Sequence, residues 1–276
     1  MSAKIYEPKG KAREYSPYAL NYYKGCSHDC LYCYVPKMFN RFDSNYKHEI
    51  VELRKSIPDI LKSVELSAKK HNGKQVLLNF TSDPYNSLEE DTLLTRKILK
   101  ILLKYQIPVS VLTKNPKLAY RDIDLYKKFN SFTIGTTLVF HNDKLSEKWE
   151  KGAITSNERA DYIGLIKNKG IKTWASFEPV IIPNESLDLL DYVGYKKYVN
   201  YVKIGKLNNY NGIDKTINWT KFLNDAVNIV RKYKIPFYIK KDLLKFKDKS
   251  LYLSDNEKDQ DFLTLKAKKT LTNQLF

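Results

Sequence analysis

The sequence predicts an α/β fold, an open, partial parallel (β/α) barrel of six to seven units. Three observations predict it. Short apolar runs alternate with amphipathic helical stretches, the pattern of parallel strands joined by right-handed crossovers. These units are too few for a closed eight-strand barrel. Most apolar runs end in polar or charged residues, as strands do when their carboxyl ends surround a site. No composition break, linker or repeat divides the 276 residues, so one domain is expected. Within it, 1–17 reads as an N-terminal arm, 18–240 as the barrel and 241–276 as a basic C-terminal extension.

The arm is polar and punctuated by Pro8, Gly10 and Pro17. Tyr18 to Tyr23 carries the aromatic and aliphatic content of a first strand, and a loop runs on through Pro36 to about His48. Ser56 and Pro58 start a helix whose Ile57, Ile60, Leu61, Val64 and Ala68 share a face, and Asn72-Gly73 should end it. Val76–Phe80 is the next strand, followed by a helix through Leu94, Ile98, Ile101 and Leu102. Val109–Leu112 precedes a helix over roughly 117–129 opened by Asn115-Pro116, and Phe132–Leu138 leads into a long polar loop with His141 and Trp149. Thr155 and Glu158 suggest a capping box for a helix closed by Gly170. Strands at Ile171–Phe177, Tyr198–Ile204 and Pro236–Ile239 complete the set, with helices near Leu187–Tyr192 and from Trp219 between them.

With 42% hydrophobic and 13% aromatic residues the chain supports a sizeable core. No stretch approaches the roughly 20 apolar residues of a membrane span, and no apolar run follows the N-terminal lysines as a signal peptide requires. Three cysteines, all committed to one site, point to the reducing cytoplasm. The net charge of +17 favours an anionic partner, a nucleic acid or nucleotide. The excess is mostly lysine, however, which lacks the planar fork of arginine and which a coding bias also supplies.

The three cysteines stand in Gly25-Cys26-Ser27-His28-Asp29-Cys30-Leu31-Tyr32-Cys33-Tyr34, spaced C-x3-C-x2-C. An odd, tightly spaced trio cannot close as disulfides. A tetrahedral zinc site needs a fourth protein ligand, here His28 or His48. A four-iron cluster on three cysteines instead keeps one iron open for a ligand that is not protein. Other polar groups collect at the strand ends: Thr81-Ser82-Asp83-Pro84-Tyr85, Thr113-Lys114, Thr136-Thr137, Ser176-Phe177-Glu178, Lys203 to Asn208, and Lys240-Lys241. Singly, each is an ordinary turn or cap residue. Together they suggest a polar pocket beneath the cysteine loop.

The spacing, with an aromatic before the last cysteine, resembles the radical S-adenosylmethionine superfamily. Asn21 through Cys26 and Cys33-Tyr34-Val35-Pro36 resemble its spore photoproduct lyase-like branch. The resemblance implies a radical SAM type of partial barrel, with a [4Fe-4S] cluster on Cys26, Cys30 and Cys33 and S-adenosylmethionine chelating the open iron. It implies that Tyr32 lies against the adenine, and that Ser82 and Asp83 stand where relatives hold the amino group with Gly-Gly-Glu. Lys114 and Thr136 would serve the carboxylate and its neighbours, Glu178 the ribose or amino group, and Lys206 and Asn208 a substrate. It further implies an electron donor such as flavodoxin or ferredoxin, reductive cleavage to a 5'-deoxyadenosyl radical, and hydrogen abstraction from a substrate. The repair lyase uses a further cysteine as hydrogen donor, and this chain has none after Cys33. Tyr85 and Tyr238 are the substitutes to consider. Two other readings remain: a radical enzyme acting on a peptide or small metabolite, and a zinc-stabilised nucleic-acid-binding protein without catalysis.

Overall fold

A computed structural model describes residues 3–208, 210 and 212–266. The strands in chain order are β1 (Tyr18–Leu20), β2 (Tyr23–Lys24), β3 (Glu52–Leu53), β4 (Val76–Leu78), β5 (Val109–Leu112), β6 (Phe132–Thr137), β7 (Thr173–Phe177), β8 (Tyr201–Ile204) and β9 (Phe237–Ile239). Seven of them form one sheet in the order β1-β4-β5-β6-β7-β8-β9, every neighbouring pair parallel. The sheet stays open between β1 and β9, as the partial barrel predicted from sequence requires.

Side-chain alternation assigns the two faces. Val76, Leu78, Ile134, Ala175, Val202 and Ile239 face the main core beneath the helices. Their strand neighbours Leu77, Trp174, Tyr201 and Tyr238 form a second cluster on the concave side, joined by Tyr15 and Leu263. The concave side is therefore filled by aromatic rings. Trp174 and Tyr201 stack with ring centroids 5.7 Å apart. Gly135 makes room for them, since a Cβ there would stand 2.4 Å from the Trp174 ring.

The outer helices follow their caps and stripes. Ile57–Lys69 starts where the Ser56 side chain accepts from the Asp59 N–H, and it buries Ile60, Val64 and Ala68. Leu94–Lys104 buries Leu94, Ile98, Leu99 and Leu102. Ser156–Asn168 has Thr155 as its cap, and Trp219–Lys232 buries Phe222, Leu223, Ala226, Val227 and Val230. The helix predicted near Leu187–Tyr192 extends over Pro183–Tyr195.

Four sequence expectations need correction. The helix expected over 117–129 is three short pieces, Pro116–Ala119, the 3-10 turn Tyr120–Asp122 and Ile123–Tyr126. Buried Asp122 sits in the middle turn, fixed by Arg96 and Arg121 at 2.9 and 3.1 Å. The first strand stops at Leu20, because the Asn79 side chain takes the N–H of Tyr22. Tyr23–Lys24 then pairs antiparallel with Glu52–Leu53. The loop after Pro36 opens with a helical turn, Val35–Phe39. The polar loop before Trp149 contains the helix Asp143–Trp149, started by the Asn142 side chain.

The arm and the extension meet at the open side. Tyr6 bridges to Ala19 of β1, while Glu14 accepts from the Tyr238 hydroxyl (2.7 Å) and the Lys241 N–H (2.8 Å) next to β9. Arg13 holds Asp261 of the extension with two bonds of 2.7 Å. Lys266 bridges to Lys74, just before β4. The remainder of the extension, 267–276, lies outside the described residues.

Candidate active site

The cysteine loop leaves β2 and lies across the carboxyl ends of β4 and β5, tied down at several points. The Ser82 hydroxyl donates to the Gly25 carbonyl at 2.5 Å. Ser27 Oγ accepts from the Ser87 N–H, and the Cys26 N–H donates to the His48 carbonyl. On its far side Cys30 bridges antiparallel to Glu150, and Leu31 and His28 bond the backbone of Trp149 and Gly152. These approaches are too close for side chains. A Cβ on Gly152 would lie 2.0 Å from the Ser27 carbonyl oxygen, and one on Gly25, at φ +75°, would lie 1.8 Å from that of Ile50. None of the three cysteines is in a disulfide.

Asp83 braces this loop from below. Its buried carboxylate accepts from the Thr113 hydroxyl (2.6 Å), the Lys114 N–H (2.7 Å) and the Tyr85 N–H (2.8 Å). His28 Nε2 stands 3.1 Å from it, too poorly aligned for a hydrogen bond. Burial opposes ionisation of Asp83, but His28 and these donors outweigh it and hold the carboxyl below its usual range. The other His28 nitrogen lies 3.0 Å from the Gly152 carbonyl.

A second buried group stands behind the loop, and nothing local in the sequence announced it. Glu150 accepts from the Tyr32 hydroxyl, the Ser146 hydroxyl and the guanidinium of fully buried Arg159. Lys114 Nζ lies 3.8 Å from the same carboxylate and 5.4 Å from the centre of the Tyr32 ring. Burial works against the Glu150 charge, yet Arg159 and Lys114 lower its pKa overall. The ring of Tyr32 is thus fixed at its hydroxyl end, and an ammonium is held beside it.

The remaining expected residues divide. Thr136 is buried at the end of β6, its hydroxyl donating to the Thr113 carbonyl at 2.7 Å, one residue from Lys114. Glu178 belongs to a different network on the concave side, accepting from the Tyr15 hydroxyl at 2.7 Å and from Lys240. It lies under Gly205, where a Cβ would be 2.8 Å from the Glu178 carboxyl carbon. Lys206 turns away: its ammonium sits 5.0 Å from the Trp219 ring centre and donates to the Leu207 carbonyl, while Asn208 donates to the Lys206 carbonyl. Tyr85 is sealed against Asp122 and Tyr126, whereas the Tyr238 hydroxyl points into the filled concave side toward Glu14.

The donor set can be tested against a metal centre. Burial raises all three thiol pKa values, that of Cys30 to about 12. A trio of thiolates there therefore needs a strongly cationic centre to hold it. His28 has Nδ1 3.0 Å from the Gly152 carbonyl and Nε2 3.1 Å from the Asp83 carboxylate. His48 has Nδ1 at 2.7 Å from the Tyr46 hydroxyl and Nε2 at 3.4 Å from Cys33 Sγ. Among the described residues no three His, Cys, Asp or Glu side chains converge closely enough to hold a single metal ion. Three cysteine ligands on one loop match a cluster that keeps one iron open for a ligand outside the protein.

The sequence model of the Radical SAM superfamily matches residues 20–193, well over half of the chain. The chain belongs to that superfamily, whose members are built around S-adenosylmethionine and a four-iron cluster. An uncharacterized protein of Methanocaldococcus jannaschii is 32% identical over 164 residues, covering 59% of this chain and 60% of that protein. One from Acidianus two-tailed virus is 26% identical over 189 residues, 65% of this chain and 61% of its own. The chain thus spans about three fifths of the length of these relatives. Spore photoproduct lyase complexed with dinucleoside spore photoproduct superposes with a TM-score of 0.61 at 12% identity, over 86% of this chain and 78% of the lyase. Streptococcus suis SuiB bound to S-adenosylmethionine gives 0.60 at 13% identity, over 86% and 53%. At those identities the likeness is one of fold.

Proposed function

We propose that this protein is a radical S-adenosylmethionine enzyme acting on a nucleic acid or nucleotide, with Cys26, Cys30 and Cys33 holding the [4Fe-4S] cluster. When bound, the cluster and S-adenosylmethionine supply reductive cleavage of the sulfonium to a 5'-deoxyadenosyl radical that takes hydrogen from a substrate C–H bond. The chain's own part is to bind, orient and exclude water. Ser82 and Asp83 act through the loop they brace, because their side-chain oxygens already bond the protein. Lys114 presents a cation to the cofactor's carboxylate from beside Tyr32, whose ring supports the adenine. The buried Thr136 hydroxyl, donating to the Thr113 carbonyl, fixes the strand end that carries Lys114 to the carboxylate. Glu178, charge-paired with Lys240, accepts from ribose hydroxyls.

The observation that carries this reading is the braced loop: three cysteines outside any disulfide, tied down by Ser82 at Gly25 and by Glu150 at Cys30, beside the Lys114–Glu150 pair. The lyase complexed with a dinucleoside spore photoproduct and SuiB bound to its precursor peptide supply parallels for a nucleoside-containing and a peptide ligand respectively. The net charge of +17 favours the nucleotide. The test is anaerobic reconstitution with iron and sulfide, reduction, and chromatographic detection of 5'-deoxyadenosine. Wild type is expected to form it and Cys30→Ala to form none. Equal product from the two proteins refutes the assignment.

A further inference from the structure

The segment that follows Cys33, residues 34–50, is the most exposed part of the described chain near the site. Phe42 is 87% exposed and Tyr34 50%. Between and after them stand Lys37, Arg41 and Lys47, all exposed. Among the described residues none of these three is ion-paired, and the nearby Asp43 is engaged by Lys24 at 3.8 Å. This surface combines an exposed phenylalanine with cations outside any described ion pair, Lys37 lying 5.8 Å from the centre of the Tyr210 ring. It suits a ligand with flat apolar faces on an anionic chain.

A cleft of about 240 Å³ opens beside these residues, lined by Lys24, Asp43, Asn45, Tyr46, Lys47 and Glu52. Its volume accommodates a nucleobase. Lys24 lies 3.8 Å from Asp43 and 4.0 Å from Glu52, and the Asn45 amide can accept from base N–H groups. The cleft also adjoins the cysteines. The Tyr46 hydroxyl bonds His48 Nδ1, and His48 Nε2 lies 3.4 Å from Cys33 Sγ.

Resting on the nucleic-acid reading above, we infer that residues 34–50 with Lys24 form a docking platform for a single-stranded polynucleotide. Phosphates run along Lys37, Arg41 and Lys47, Phe42 stacks on one base, and the cleft seats another beside the cysteine loop. An exposed ring stacks on unpaired bases without the cost of unstacking a duplex, so the single strand is the favoured occupant.

The experiment is fluorescence anisotropy of the reconstituted holoenzyme with a labelled 12-nucleotide single-stranded oligodeoxynucleotide, titrated at several salt concentrations. Triple reversal K37E/R41E/K47E is expected to weaken binding at least tenfold and to reduce the salt slope by about two, from roughly 0.7 per lost contact. Phe42→Ala should weaken binding about tenfold through lost stacking. The control K62E/K69E/K70E makes the same charge change on an outer helix and should retain most of the affinity. Equal losses in platform and control variants overturn the platform and leave the substrate reading standing. So does a matching duplex that binds as tightly as the single strand. No binding by wild type at low salt overturns the nucleic-acid reading itself. Thermal melting of each variant confirms that its fold is retained.

Discussion

Glu150 accepts bonds from Tyr32, Ser146 and Arg159 in a place sealed from water, with Lys114 3.8 Å away. Replacing it with Gln leaves the Arg159 charge buried and unpaired, which should cost about 3–5 kcal/mol by chemical denaturation. E150Q/R159M should recover part of that loss, since the stranded charge is gone. An additive double variant would show that the two residues do not act as a pair. Lys203 offers a pH test. Its ammonium is fully buried and donates to the Glu14 and Tyr15 carbonyls. Burial, reinforced by Lys240, brings its pKa down to about 7 from the usual 10.5. A lysine with a depressed folded pKa binds fewer protons folded than unfolded, so stability should rise from about pH 7 toward pH 10. Lys203→Met should flatten that rise, and an unchanged slope would place the titration elsewhere. The cysteines were legible in the sequence because residue type and spacing carry their chemistry. Glu150 and Arg159 were not, because Glu150 meets Tyr32 across 118 residues of sequence and no local period marks either partner.

Among the elements, the parallel strands and the helices with clear caps were legible. Ser56 and Thr155 cap as their types demand, and the apolar stripes fall on the buried faces. What the sequence hid depended on distant partners. The 117–129 stretch breaks around Asp122, which answers arginines on its own and on a neighbouring helix. Asp143–Trp149 shows few apolar residues, and its value lies in delivering Glu150 and Gly152 to the cysteine loop. Gly152→Ala tests that delivery. Its methyl group would land 2.0 Å from the Ser27 carbonyl oxygen, so the loop must move. The expected result is lower iron content after reconstitution with little change in circular dichroism. Full iron loading would show that the approach does not matter to the loop.

For the whole molecule, the arm and the extension complete what seven strands leave open. Tyr15 fills the concave side against Trp174 and Phe80 and bonds Ser176 and Glu178. Truncating it to Ala should cost about 3–5 kcal/mol as a cavity opens in the aromatic cluster, read by denaturant midpoint. A loss under about 1 kcal/mol would mean that the cluster collapses to refill the space. The sequence marked the arm as irregular but not as part of the core, since Glu14 and Tyr15 owe their burial to partners on β7, β8 and β9. The proposed function requires three thiols gripping a four-iron cluster that S-adenosylmethionine completes. The most direct measurement is electron paramagnetic resonance of the anaerobically reconstituted, reduced protein, with and without S-adenosylmethionine labelled with 17O in its carboxylate. A four-iron signal that shifts and gains coupling to the labelled oxygen is the expected result. One tightly bound zinc per chain, or a cluster signal indifferent to S-adenosylmethionine, would contradict it.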